Sequence, residues 1–228
     1  MKLIMLPCAG GSSLMFQGIK DQLPATINSL ALDYAGHGRR ADRPLREDFL
    51  KIVAEIFEYL RETNFDFQED YAFLGYSMGS VISYELTKKI QRANLPLPRH
   101  LFLCASAPVG YEKKEQIASI PNEELYHYLK QSGGTNQELL NNQDFQDFYY
   151  PIIAADLIAI NNYELKKDID LTVPVTVISG SQDKYSQEDV LAWQDYCQKC
   201  DFERLVGGHF FIYECPRELV DIISARLI

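Results

Sequence analysis

Cysteine, positive charge and long apolar runs are all scarce in this sequence. The five cysteines are an odd number scattered over 228 residues, which argues against the disulfide framework of small secreted domains and for reduced thiols in a cytoplasm. Lys and Arg total 22 against 32 Asp and Glu, a formal net charge of −10. Phosphate-rich partners would be repelled, so neither nucleic acid nor an anionic membrane is expected. At the N-terminus the apolar run Leu3 to Leu6 stops at Pro7, short of the roughly 7–15 residues of a signal-peptide core. Asp156 breaks Ile152 to Ile160, so nothing approaches the roughly 20 residues of a bilayer span. Repeats, low-complexity tracts and interdomain linkers are also missing. What remains is 46% hydrophobic and 24% charged residues, the composition of a packed globular chain, and one domain over residues 1–228 is expected.

Short apolar runs recur at Leu3 to Leu6, Ser29 to Leu32, Tyr71 to Leu74, Leu101 to Ala105 and Val175 to Ile178, with a further strand-like stretch at Phe202 to Val206. Near-continuous apolar character suits parallel strands buried on both faces. Between them lie helical patterns such as Phe49, Ile52, Val53, Ile56, Phe57 and Leu60, which place one apolar stripe along a helix. The alternation predicts an α/β fold with a mostly parallel sheet covered by helices on both faces. From about 111 to 165 no strand pattern occurs, only helical pieces at Glu123 to Gln131 and Phe145 to Asn161. Such an insertion would lie over the strand ends, where open α/β sheets bind ligands, as a helical lid. Its aromatics Tyr126, Tyr128, Phe145, Phe148, Tyr149 and Tyr150 fit either an acyl chamber or a local core.

Gly75-Tyr76-Ser77-Met78-Gly79 follows one of the apolar runs and precedes a helical pattern, the strand–turn–helix context of a nucleophile elbow. Taken alone, the motif also fits a helix-capping serine. A catalytic Ser77 needs a base and an oriented carboxylate. Of the four histidines, His209 in Gly207-Gly208-His209-Phe210-Phe211 leaves a strand-like stretch. His100 opens a strand, His127 sits within a lid helix and His37 lies between two glycines early in the chain. Asp183 follows another strand in Gly180-Ser181-Gln182-Asp183, and the order Ser77, Asp183, His209 is that of α/β-hydrolases. Near the N-terminus, Pro7-Cys8-Ala9-Gly10-Gly11-Ser12 can bring a backbone N–H to an oxyanion, paired with that of Met78. It lacks the Walker lysine and the GxGxxG spacing of a phosphate loop. A rival set, Cys197, Cys200, His209 and Cys215, has the donors of a zinc site but would consume the base, and a helix from Val190 to about Gln198 would carry Cys197.

These motifs, with Trp193, Ser132-Gly133-Gly134-Thr135, Pro151 to Asp156 and Tyr163, resemble the type II thioesterases that accompany nonribosomal peptide and polyketide synthases. The resemblance runs almost the whole length and implies an α/β-hydrolase fold, a Ser77–His209–Asp183 triad, and oxyanion N–H groups from Met78 and Ala9. It further implies hydrolysis, through an acyl-enzyme, of acyl thioesters held on the phosphopantetheine arm of carrier proteins. That is an editing role in antibiotic-type assembly lines, in the cytoplasm, by a monomer with no cofactor or metal. Two positions depart from the family: Tyr76 where it usually has His, which bears on pocket lining, and Ala154 where it usually has Arg, which removes a partner for Asp156. Other readings are a small-molecule carboxylesterase or lipase on the same fold and a non-catalytic synthase adaptor. Arg39, Arg40, Arg43 and Arg46, with Lys113 and Lys114, are candidates for docking an acidic carrier.

Overall fold

The apolar runs become the strands β1 (Lys2–Leu6), β2 (Asn28–Ala31), β3 (Tyr71–Tyr76), β4 (Leu101–Cys104), β5 (Val175–Gly180) and β6 (Cys200–Leu205) of a computed structural model that describes residues 1–109, 116–169 and 171–228. They form one sheet in the order β2-β1-β3-β4-β5-β6, and every pairing is parallel, from Lys2 beside Asn28 to Gly180 beside Leu205. Alternation along each strand splits the core. Ile4, Leu6, Phe73, Leu101, Leu103, Val175 and Val177 face one side; Leu3, Met5, Ala72, Leu74, Phe102, Cys104 and Ile178 face the other. Both faces must be covered, which is why these strands carry so few polar side chains.

Helices α2 (Phe49–Glu62) and α3 (Met78–Arg92) pack on the first face, and α1 (Gln17–Lys20), α8 (Phe211–Glu214) and α9 (Pro216–Leu227) on the second. Asp48 caps α2 by accepting from the Lys51 N–H at 3.1 Å, and the stripe from Phe49 to Leu60 is buried as its spacing predicts. Between β4 and β5, α4 (Asn122–Ser132), α5 (Gln137–Leu140) and α6 (Gln143–Asn161) form the lid. Its small core of Leu125, Leu129, Leu140, Tyr150 and Ile153 accounts for Tyr150, whereas Phe148 and Tyr149 are exposed. The expected start of the lid at 111, with Lys113 and Lys114, lies outside the described residues. The helix expected from Val190 to Gln198 is shorter: α7 (Gln187–Leu191) gives way to a 3₁₀ turn, Ala192–Asp195. There Trp193 is fully buried, and its Nε1–H donates to the Ser106 carbonyl at 3.1 Å.

The chain runs from β1 outward to β2, then returns across β1 to β3. Neighbouring strands β1 and β3 therefore send their following loops in opposite directions, opening a crevice at their carboxyl ends. Both the loop after β1 and Ser77 after β3 open into it.

Candidate active site

Ser77 sits at the junction of β3 and α3 with φ 54° and ψ −114°, a conformation that costs a non-glycine residue about 1–3 kcal/mol. The glycines of the motif make that turn possible. A Cβ on Gly75 would collide with the Gly79 carbonyl, and one on Gly79 with the Leu6 carbonyl of β1. Ser80 ties the turn down, its hydroxyl donating to the carbonyls of Gly75 and Cys104 at 2.9 Å each.

Opposite Ser77, the loop after β6 delivers His209 and the turn after β5 delivers Asp183. His209 Nδ1 lies 3.0 and 3.1 Å from the two Asp183 carboxylate oxygens, and its Nε2 lies 3.2 Å from Ser77 Oγ. A carboxylate only accepts, so Nδ1 carries the proton and Nε2 is left to accept from the Ser77 hydroxyl. The His209 and Asp183 side chains are 5% and 1% exposed, so their hydrogen bond is screened little by water. Three residues drawn from the ends of three strands thus form one continuous hydrogen-bond chain, the arrangement that removes a serine proton as the oxygen attacks a carbonyl.

Tyr76 does not line the site. Its neighbour Ser77 turns toward the crevice, while the Tyr76 ring goes to the opposite face with Phe210 and Phe211. There its hydroxyl donates to the His209 carbonyl at 2.8 Å and accepts from the Ile212 N–H at 3.3 Å. The expected effect on pocket lining is thereby corrected: this tyrosine braces the loop that carries His209.

The loop after β1 forms a turn closed by Gly11 N–H donating to Cys8 O at 3.0 Å, with Ala9 and Gly10 at its corner and Gly10 at φ +68°. Met78 is the first residue of α3, so its N–H belongs to the first-turn donors that have no partner within the helix. The segment after β2 grips the same loop. Asp33 accepts from Ser13 N–H at 2.6 Å and Ser13 Oγ at 3.0 Å, and Tyr34 OH donates to Pro7 O at 2.7 Å. Asp156 of α6 accepts from Gly10 N–H at 2.7 Å and from His37 Nε2 at 2.9 Å. The loss of a partner expected from Ala154 is therefore corrected, because His37 and Gly10 occupy the Asp156 carboxylate. No local sequence pattern marks this role of His37, because its partner lies 119 residues away.

Two cavities meet here. One of about 300 Å³ is lined by Ala9, Ser77 and Met78 together with Ile120, Leu157 and Ile160 of the lid segment. The other, of about 250 Å³, is lined by His209, Phe210 and residues 131–133. Tyr128 and Lys184 border both, with Lys184 Nζ 5.0 Å from the Tyr128 ring centroid. Of the lid aromatics among the described residues, Tyr128 alone faces either of them.

The zinc alternative fails on topology. Cys197 belongs to the core on one face of the sheet and Cys215 to the core on the other, while both ring nitrogens of His209 are engaged by Asp183 and Ser77. No group of three metal-ligating side chains occurs among the described residues. His100 is buried against Thr176 Oγ1 at 2.8 Å, and burial, with Arg226 nearby, lowers its pKa to about 4. Of the basic candidates, Arg40 lies over the Tyr59 ring at 5.1 Å and bonds the Asp33 carbonyl, and Arg46 pairs with Glu55 at 2.6 Å. Arg43 is exposed. No helix among the described residues is long and apolar enough to cross a membrane.

A parallel sheet carrying a strained serine after its third strand, with an aspartate and a histidine on the turns after its last two, has the α/β-hydrolase fold. Within that class, the family model for the thioesterase domain matches residues 1–227. The chain belongs to the thioesterase family. Gramicidin S biosynthesis protein GrsT of Aneurinibacillus migulanus is 28% identical over 234 residues, covering 100% of this chain and 89% of GrsT. The human medium-chain S-acyl fatty acid synthase thioesterase is 29% identical over 223 residues, covering 95% of this chain and 83% of that protein. The chain also matches the AMB antimetabolite synthetase AmbE of Pseudomonas aeruginosa at 26% identity, but spans only 11% of its length. Among solved structures, the thioesterase RedJ from the prodiginine biosynthetic pathway of Streptomyces coelicolor superposes with a TM-score of 0.87 at 26% identity, covering 99% of this chain and 85% of RedJ.

Proposed function

We propose that this thioesterase hydrolyses acyl groups from the phosphopantetheine arms of carrier proteins in a nonribosomal peptide or polyketide assembly line, with Ser77, His209 and Asp183 as its triad. The observation that carries the reading is the hydrogen-bond chain from Asp183 through His209 to Ser77, set where two cavities meet. Relatives named for gramicidin S and prodiginine biosynthesis support the assembly-line setting.

The chemistry follows from the geometry. Ser77 Oγ attacks the thioester carbon as His209 Nε2 takes its proton, and the N–H groups of Met78 and Ala9 receive the oxyanion. The C–S bond then breaks, and His209 returns the proton to the departing sulfur. His209 lines only the second cavity and Ser77 only the first. The thiol arm therefore belongs on the side of residues 131–133, and the acyl chain belongs under Ile120, Leu157 and Ile160. Water enters from the histidine side and attacks the acyl carbon as it gives its proton to Nε2; the Ser77 Oγ–C bond then breaks, His209 returns the proton to Ser77 Oγ and the free acid leaves. No step needs a cofactor or metal, and a monomer suffices.

Intact-mass analysis of an acylated carrier protein before and after incubation tests the proposal. Loss of the acyl mass from the arm supports it. Turnover of free esters with the carrier left untouched would favour a carboxylesterase, and failure of a fluorophosphonate probe to label Ser77 would favour an adaptor.

A further inference from the structure

The lid is bonded directly to the loop that bears Ala9. Gly10 N–H donates to Asp156 Oδ2 at 2.7 Å, and Gly10 lies so close beneath α6 that a Cβ there would collide with Ile153 of the same helix. The turn's own bond, Gly11 N–H to Cys8 O, fixes the chain from the other side. Between them, the two bonds hold the peptide planes before and after Ala9. The Ala9 N–H belongs to the plane before Ala9. With the Asp156 bond broken that plane is held through the Cys8 carbonyl alone, the unanchored Ala9–Gly10 corner lets it pivot, and a donor that swings by tens of degrees no longer meets a developing oxyanion.

We propose that Asp156 is a positioning residue that couples lid seating to oxyanion stabilisation, so that the Ala9 N–H is aimed only while α6 is docked on the loop. This rests on the oxyanion role of Ala9 proposed above. The lid would then do more than cover the cavity: with α6 displaced, the nucleophile and base persist while the transition state loses one of its two donors.

His37 completes the device. Its Nδ1 lies 2.9 Å from the Ala35 carbonyl and its Nε2 2.9 Å from the same Asp156 oxygen that holds Gly10. Both partners accept, so both ring nitrogens carry protons and the ring is an imidazolium. The pair is almost completely buried, at 3% and 2% side-chain exposure. Burial opposes the charge, but the bond and charge of Asp156, the Ala35 carbonyl and Asp33 outweigh it and raise the pKa above 6.5. The other titratable groups facing the pair are Cys8, whose thiol burial pushes up to about 12, and Tyr34, held well above its ordinary value by burial; both stay neutral near pH 7. As pH rises through the His37 pKa, the ring is left with one proton for two acceptors, so it loses its charge and a lone pair faces either the Asp156 carboxylate or the Ala35 carbonyl. The grip on the loop loosens, and turnover falls on the alkaline side.

The test compares Asp156→Ala and Asp156→Asn with the wild-type chain on a propionyl-loaded carrier protein, rates being normalised to the end-point count of fluorophosphonate-labelled Ser77. Asp156→Ala is expected to lower kcat about 100-fold, the order seen when one oxyanion donor is removed, with KM within about threefold. Asp156→Asn keeps an acceptor for Gly10 but removes the charge that retains the His37 proton. It is expected to be within about threefold of wild type near pH 6 and to lose activity at a lower pH than wild type on the alkaline side. A kcat for Asp156→Ala within about threefold of wild type, or a loss confined to KM, would overturn the proposal. An alkaline limb unmoved in Asp156→Asn would do the same, and it decides the matter if Asp156→Ala does not fold. Ser77→Ala with the same substrate, its rate normalised to protein concentration, separates the two readings. If it is inactive, the triad stands whatever Asp156 does; if it turns over, the triad itself is wrong.

Discussion

Replacing Asp183 with Asn changes almost no volume and reverses the logic of the hydrogen-bond chain. Both Asp183 oxygens lie within 3.1 Å of His209 Nδ1, and the side chain is 1% exposed, so no water substitutes for the lost acceptor. The new amide N–H pointing at Nδ1 requires an unprotonated nitrogen there. The ring proton moves to Nε2, which then opposes the Ser77 hydroxyl instead of accepting from it. Restoring the productive tautomer means giving up a charge-assisted hydrogen bond of about 1.5–3 kcal/mol and placing an amide donor against an N–H. The imidazolium formed during attack also loses its counter-charge. Together these amount to about 4–5 kcal/mol, a fall in kcat of about 10³–10⁴ at 1.36 kcal/mol per decade. The assay is thiol release from an acylated carrier, followed with a thiol reagent, with KM and the melting midpoint measured in parallel. A variant within about tenfold of wild-type kcat would refute the reasoning, and Asp183 would not be the orienting acid.

Tyr76→Phe leaves the His209 carbonyl and the Ile212 N–H without their buried partner, and a loss of about 1–3 kcal/mol is expected, read by denaturant titration, with a smaller kcat from a looser histidine loop. His100 stays neutral in the fold down to about pH 4, whereas in the unfolded chain it binds a proton near 6.5, so its contribution is complete at neutral pH and is lost as pH falls from about 6.5 to 4. His100→Gln should flatten that part of the stability–pH curve, by about 3 kcal/mol at most; an unchanged slope would show that other groups set it. Arg43→Glu, at an exposed site, is expected to raise KM for an acylated carrier and spare a free acyl thioester, whereas Arg40→Glu, against Tyr59 and the Asp33 carbonyl, should impair both. Equal KM values for the carrier in Arg43→Glu and wild type would remove Arg43 from the docking surface.

The four inner strands were legible because both of their faces are buried, so each advertises itself as a near-continuous apolar run, whereas the edge strands β2 and β6 are only partly buried and β6 carries Asp201, Glu203 and Arg204. The strand ends were less legible. Hydropathy drops at Gly75 and at Ser179-Gly180, yet the ladder continues to Tyr76 and Gly180, because backbone pairing does not require an apolar side chain. Ser77, Asp183 and His209 could be picked out together because each follows a strand, and parallel strands carry their following turns to one edge. Tyr76 takes the face of Ala72 and Leu74 by strand alternation, but only once the ladder is known to run through it, and the hydropathy drop at Gly75 hid that. The Asp156–His37 contact spans 119 residues and involves a lid whose docking no local pattern encodes. Helix periodicity likewise overran past Leu191, where the chain tightens into the 3₁₀ turn that buries Trp193.

The central claim is that Ser77 carries the acyl group between the carrier arm and water. Peptide mass spectrometry after rapid acid quench of the enzyme with propionyl carrier protein tests it most directly. The account predicts a propionyl adduct on the peptide containing Ser77, appearing with the loss of acyl mass from the carrier and missing in Ser77→Ala, which leaves the carrier loaded. A carrier cleared at the wild-type rate by Ser77→Ala, or an adduct on any other residue, would contradict it.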